Sequence, residues 1–155
     1  MAYRIRGIDP SPFVSLYGLT EAELHARGAL RRVATDDTGY PERIELRNAS
    51  KGDSLLLVNY THQPAAGPYH ASHAVFLREG AMEAVQVVDE VPEVLACRMI
   101  SLRAFTKDDL IDHAVLVDGR QLDEAIRRML GVQSVAYVHA HYAAYGCFAA
   151  YVDRH

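Results

Sequence analysis

The 155-residue chain contains no tryptophan, two cysteines and two lysines, Lys51 and Lys107. Each scarcity excludes something. Nearly all positive charge is arginine, the net charge is −4, and the densest basic spots are the dipeptides Arg31-Arg32 and Arg127-Arg128. Binding to phosphate backbones depends on clustered cations that release counterions, so no nucleic-acid partner is expected. Cys97 and Cys147 lie far apart, and a chain of this size buries roughly 68–70% of its unfolded surface without needing a bridge. Both are expected as free thiols. The first ten residues carry Arg4, Arg6 and Asp9 and no apolar run, so no secretory leader is expected and a cytoplasmic location follows by elimination.

No Asp, Glu, Lys or Arg occurs between Arg128 and Asp153. That span matches the roughly 20 residues of a membrane helix, but Gly131, Gln133, Ser134, His139, His141, Gly146 and four tyrosines would need partners in hydrocarbon. A buried β-hairpin fits better, and no membrane partner is expected. What the chain has in quantity is polar aromatic surface, with nine tyrosines and eight histidines against four phenylalanines.

Tyr3 to Ile8 alternates as a half-buried strand, and Thr20-Glu21-Ala22-Glu23 is a capping box that opens a helix over Glu21 to Arg27. Further strands are expected at Leu30 to Thr35, Arg43 to Arg47, Ser54 to Thr61, His73 to Leu77 and Ala84 to Val88. Ser54 to Thr61 is apolar on both faces at Leu55-Leu56-Leu57-Val58 and reads as central in a sheet. Pro92-Glu93 opens a short helix. Met99 to Phe105 and Ile111 to Val117 follow as strands. Leu122, Ile126, Met129 and Leu130 make one apolar stripe on a helix from Gln121 to Leu130. Val135 to Tyr142 and Cys147 to Val152 form the closing hairpin. The expected architecture is α+β in one domain: a mainly antiparallel sheet of short strands with two or three helices packed on it.

Val138-His139-Ala140-His141 carries the sharpest chemistry. Side chains two apart on a strand share a face, so His139 and His141 stand about 7 Å apart at the backbone and can converge on one ion. A divalent metal held there needs a third ligand, for which His62, His73 and Cys147 are the candidates. The other reading keeps His139 and His141 as hydrogen-bonded members of a polar patch. A cupin-like site would need a carboxylate between Tyr142 and Val152, where there is none; a histidine-triad hydrolase would need a third histidine where Ala143 stands.

The second cluster, Asn59-Tyr60-Thr61-His62-Gln63-Pro64 and on to His73, places polar groups where an apolar central strand meets a proline-bounded loop. Tyr60 and His62 share the face of Leu56 and Val58. His70 is expected as loop surface, and His113 as a satisfied, half-buried residue. Arg103 sits among partly apolar neighbours, paired with an acid such as Asp89 or Asp112, or free to clamp an anion. Cys147 is either a small buried hydrophobe or a thiol activated by nearby imidazoles.

The segments Asn59-Tyr60-x-His62-Gln63-Pro64, Pro68-Tyr69-x-x-Ser72-His73-Ala74-Val75-Phe76, Asp89-Glu90-Val91-Pro92, Leu102-Arg103-Ala104-Phe105, Gly146-Cys147-Phe148 and Val152-Asp153-Arg154 together resemble an uncharacterised bacterial family, domain of unknown function 1203. The resemblance spans essentially the whole chain and implies no activity, cofactor or catalytic residue.

Two functions follow as expectations. The first is a small-molecule-binding protein or enzyme whose pocket draws on Asn59, Tyr60, His62, His73 and Arg103 for a small anionic or polar ligand, with His139, His141 and Cys147 as catalytic candidates. The second is a non-catalytic interaction protein, a homodimer joined through the uncharged, tyrosine-rich C-terminal hairpin.

Overall fold

A computed structural model describes all residues from Met1 to His155. Strand β1 (Tyr3–Arg6) buries Tyr3 and Ile5 and turns Arg4 and Arg6 onto Asp153. Helix α1 (Glu21–Ala26) is capped as the sequence predicts: Thr20 accepts from the Glu23 N–H, and the Glu23 carboxylate accepts from the Thr20 N–H. Strand β2 (Leu30–Val33) follows.

The strand expected over Arg43 to Arg47 is instead a turn between two short strands, β3 (Pro41–Glu42) and β4 (Arg47–Asn48). Glu42 causes it. Its buried carboxylate accepts from the backbone N–H groups of Ile44, Glu45 and Arg78, curling the chain around itself, and Leu46 takes φ +50. A local side-chain-to-backbone bond has displaced a ladder.

Strands β5 (Ser54–Gln63), β6 (Ala71–Arg78) and β7 (Gln86–Val88), helix α2 (Glu93–Ala96), and strands β8 (Met99–Thr106) and β9 (Ile111–Asp118) lie where they are expected, within a few residues at their ends. Asp118 caps a 3-10 turn by accepting from Arg120, and α3 (Leu122–Leu130) continues from it. Strands β10 (Val135–Tyr142) and β11 (Phe148–Arg154) complete the chain.

The fold is α+β and mostly antiparallel. A six-stranded sheet runs β7-β1-β11-β10-β8-β9, and a five-stranded sheet runs β2-β5-β6-β3-β4, with β3 and β6 the parallel pair. One core lies between α3 and the six-stranded sheet: Leu122, Ile126, Met129 and Leu130 meet Leu102, Val138, Ala140 and Val152. A second lies where the sheets face each other, with Leu56, Val58, Val75 and Leu77 packed against Ile8, Ile44 and Phe148.

The hairpin β10–β11, uncharged up to Val152, is interior, flanked by β1 and β8. Tyr142 is buried, Tyr137 and Tyr151 are half-buried, and Tyr145 alone of the four stands exposed at its tip. Pairing on both edges occupies the backbone of these strands, and packing on the sheet faces covers Tyr142 and part of Tyr137 and Tyr151. No helix is long and apolar enough to cross a membrane.

Candidate functional site

Three histidines from two sheets converge. On β10, His139 and His141 point to the face opposite Val138 and Ala140, as strand periodicity requires. The third is His62 of β5, whose ring centroid lies 6.0 Å from that of His139 and 4.8 Å from that of His141. One ring nitrogen from each residue falls within 4.8 Å of the other two.

Two β-bulges aim these side chains. In the β5–β6 ladder the register slips between Tyr60 and Gln63, giving β5 an extra residue at the end that carries His62. In the β10–β11 ladder it slips between Ala140 and His141, which brings Phe148 opposite His141. Phe148 then stacks on the His62 ring at 5.5 Å and 6°, while Phe105 lies 4.8 Å from the His139 ring. Gln63 anchors the end of β5: its Nε2 donates to the Tyr137 hydroxyl at 2.8 Å, and that hydroxyl donates to Asp109 at 2.6 Å.

The surroundings fix the charge of the rings. His139 and His141 are 2% and 1% exposed. Desolvation, aided by the Arg103 charge, pushes His62 down to about 4 and His139 and His141 down to about 3, so all three are neutral at pH 7. His141 Nδ1 lies 2.9 Å from the Gly146 carbonyl. A carbonyl only accepts, so Nδ1 carries the proton and Nε2 keeps a free lone pair. Nδ1 of His62, Nδ1 of His139 and Nε2 of His141 are buried without a hydrogen-bond partner.

Arg103 stands directly across the β8–β10 ladder from His139. The sequence offered Asp89 or Asp112 as its structural partner, and neither takes that role. Asp89 accepts from the Tyr3 N–H and pairs with Arg127; Asp112 accepts from Ser134 and pairs with His113. Arg103 forms no ion pair, and its Nε reaches only Ser101 Oγ at 3.4 Å. A half-buried guanidinium without a carboxylate beside three neutral imidazoles is suited to holding an anion.

The other sequence candidates are placed differently. Tyr60 shares the His62 face, with its ring 5.5 Å from Phe148 and 6.2 Å from Phe13, inside the inter-sheet core. Asn59 and His73 are exposed, and His73 Nδ1 bonds the Ala74 carbonyl. Cys147 is buried but does not join the histidines: its Sγ accepts from Arg43 at 3.1 Å, in the cluster shared with Tyr142. His113 is half-buried and satisfied by Asp112, as expected. Arg43 and Tyr142 were not among the sequence candidates; nothing in the local pattern marks an arginine placed in an expected strand as buried.

The family model described as "Protein of unknown function (DUF1203)" matches residues 39–154. The chain belongs to this family. The matched span contains all three converging histidines and Arg103. No curated protein and no solved structure matches the chain.

Proposed function

We propose that this DUF1203 protein is a metal-dependent enzyme of the bacterial cytoplasm, in which His62, His139 and His141 hold a divalent transition-metal ion and Arg103 holds a small anionic substrate beside it. The observation that carries this reading is the convergence of three neutral imidazoles, two buried and one half-buried, each with an unpartnered ring nitrogen. Buried polar atoms without partners are costly, and a shared cation satisfies all three at once. At Zn–N distances of about 2.0–2.1 Å, tetrahedral ligand atoms stand roughly 3.3 Å apart, so rotation of the rings inward by about an ångström closes the set. The Gly146 carbonyl orienting His141 is the outer-shell partner that metal-bound histidines regularly have.

Three neutral nitrogen donors leave the ion its full charge and an open position, the arrangement that acidifies a bound water. Phe105 and Phe148 keep the surroundings apolar, which strengthens that effect. The supported reaction class is therefore hydrolysis or hydration of a small anionic molecule. Free thiols at Cys97 and Cys147 suit a reducing compartment.

The test is metal content by mass spectrometry on untagged protein purified without chelators, followed by Co²⁺ titration of the stripped form. About one ion per chain is expected, with a visible spectrum of four-coordinate Co²⁺, and both vanish in His139→Ala and His62→Ala but persist in His113→Ala. Wild-type protein that neither carries metal nor takes up Zn²⁺ or Co²⁺ at micromolar concentration overturns the proposal.

A further inference from the structure

A second buried cation lies away from the histidines. Arg43 is 2% exposed and forms no ion pair with a carboxylate. Its three hydrogen bonds go to two backbone carbonyls and a cysteine sulfur: Nε to the Phe148 carbonyl at 3.0 Å, Nη1 to the Pro41 carbonyl, and Nη2 to Cys147 Sγ at 3.1 Å. Glu42, its chain neighbour, directs its carboxylate to backbone N–H groups instead. A guanidinium removed from water without an anion is costly to keep, and apolar residues would fill the same space at lower cost.

The Tyr142 ring lies against this cation, 4.9 Å from Arg43 and 5.4 Å from Arg98. Tyr142 is 5% exposed and its hydroxyl has no hydrogen-bond partner. Arg98 likewise forms no ion pair with a carboxylate; it bonds the Val94 and Thr38 carbonyls, Asn48 Oδ1 and Cys97 Sγ. Arg43, Arg98, Tyr142 and Cys147 all line one cleft of about 890 Å³, whose apolar wall includes Tyr40, Leu57, Phe76 and Met99. One carboxylate borders it, that of Asp36, which is turned onto the N–H groups of Thr38 and Gly39.

We infer that this cleft binds a small amphiphilic anion, with a carboxylate or phosphate head on Arg43 and the Tyr142 hydroxyl and an apolar chain or ring along Tyr40, Phe76 and Met99. Arginine's planar fork suits either head group, and the phenol supplies one further donor. The volume lies within the range of small-molecule pockets, and its lining combines apolar walls with a few convergent polar groups. Two independent observations support a ligand here, the unpaired buried cation and the unpartnered buried hydroxyl.

The experiment follows a dansylated undecanoate by fluorescence with octanoate, octyl phosphate and 1-octanol as competitors, on the full chain. Displacement by octanoate or octyl phosphate and not by octanol is expected, and whichever anion competes better identifies the head group. Tyr142→Phe, which keeps the ring, is expected to weaken octanoate by about 3- to 10-fold, and Arg43→Met by about 10- to 100-fold, the range for losing hydrogen bonds to a charged group. Circular dichroism and thermal melts establish that each variant folds. Equal competition by octanol, unchanged binding in a folded Tyr142→Phe, or absence of probe binding overturns the inference. Loss of binding in His62→Ala also overturns it, by placing the probe at the histidines.

Discussion

Single side chains here are governed by what they lack as much as by what they touch. Arg103 lacks a carboxylate, and Arg103→Met is therefore expected to leave the metal content unchanged while weakening an anion that binds beside the ion. Titration of the Co²⁺-loaded protein with phosphate or bicarbonate, read in the visible spectrum, checks this; an unchanged anion affinity removes Arg103 from the site. Glu79 is the opposite case. It accepts two bonds from Arg31, at 2.9 and 2.7 Å, with others from the Gly18 N–H and the Ser54 hydroxyl, and these hold its carboxyl at about 2. The folded value lies below the unfolded one, so Glu79 contributes stability above pH about 4.5 that disappears as pH falls towards 2. Glu79→Gln is expected to cost about 2–3 kcal/mol at pH 7, since each tenfold change in proton affinity on folding is worth about 1.36 kcal/mol and solvent screening of this partly exposed pair reduces the full value of about 3.4 kcal/mol. Urea unfolding at pH 7 and at pH 3 checks the sign: the gap between wild type and variant narrows at the lower pH.

Among the elements, hydrophobic period and end signals located the long strands and helices because those signals are local. The capping box at Thr20 and the apolar stripe of α3 lie within one turn or two of the residues they organise. The His-x-His pair was legible for the same reason, since period two puts both rings on one face. His62 was one of three candidates for the third position. Choosing it required the meeting of two sheets and two bulges that no short window contains. The turn over Arg43 to Arg47 was missed because a buried glutamate satisfying backbone donors looks, in sequence, like an ordinary polar position in a strand. That turn is held by a close approach: a Cβ on Gly7 would lie 2.1 Å from the Ile44 carbonyl oxygen and 2.8 Å from that of Arg43. Gly7 also donates to the Val85 carbonyl and Ile8 to that of Arg43, so neither backbone can withdraw freely. Gly7→Ala is expected to destabilise the protein by at least about 2 kcal/mol, as overpacking against backbone does, and to weaken anion binding at Arg43. A urea midpoint equal to wild type contradicts this account of the turn.

Across the whole molecule, the histidine site joins two sheets that otherwise meet through an apolar core. The six-stranded sheet supplies His139, His141 and Phe148, and the five-stranded sheet supplies His62 from the C-terminal end of β5. An ion held by all three binds only when both sheets are in place, so it stabilises the folded arrangement and has little affinity for the unfolded chain. At a free metal concentration 100 times the dissociation constant, the linkage amounts to about 2.7 kcal/mol. For a chain of this size, each kcal/mol moves the thermal midpoint by about 2–4 °C, so stripped protein is expected to gain about 5–11 °C on adding Zn²⁺. The same addition to His62→Ala leaves two ligands on one strand and no bridge between the sheets, and its midpoint is expected not to rise. Equal shifts in wild type and variant place the ion on β10 alone or elsewhere on the surface. The differential shift therefore tests whether the third histidine is part of the site or only beside it.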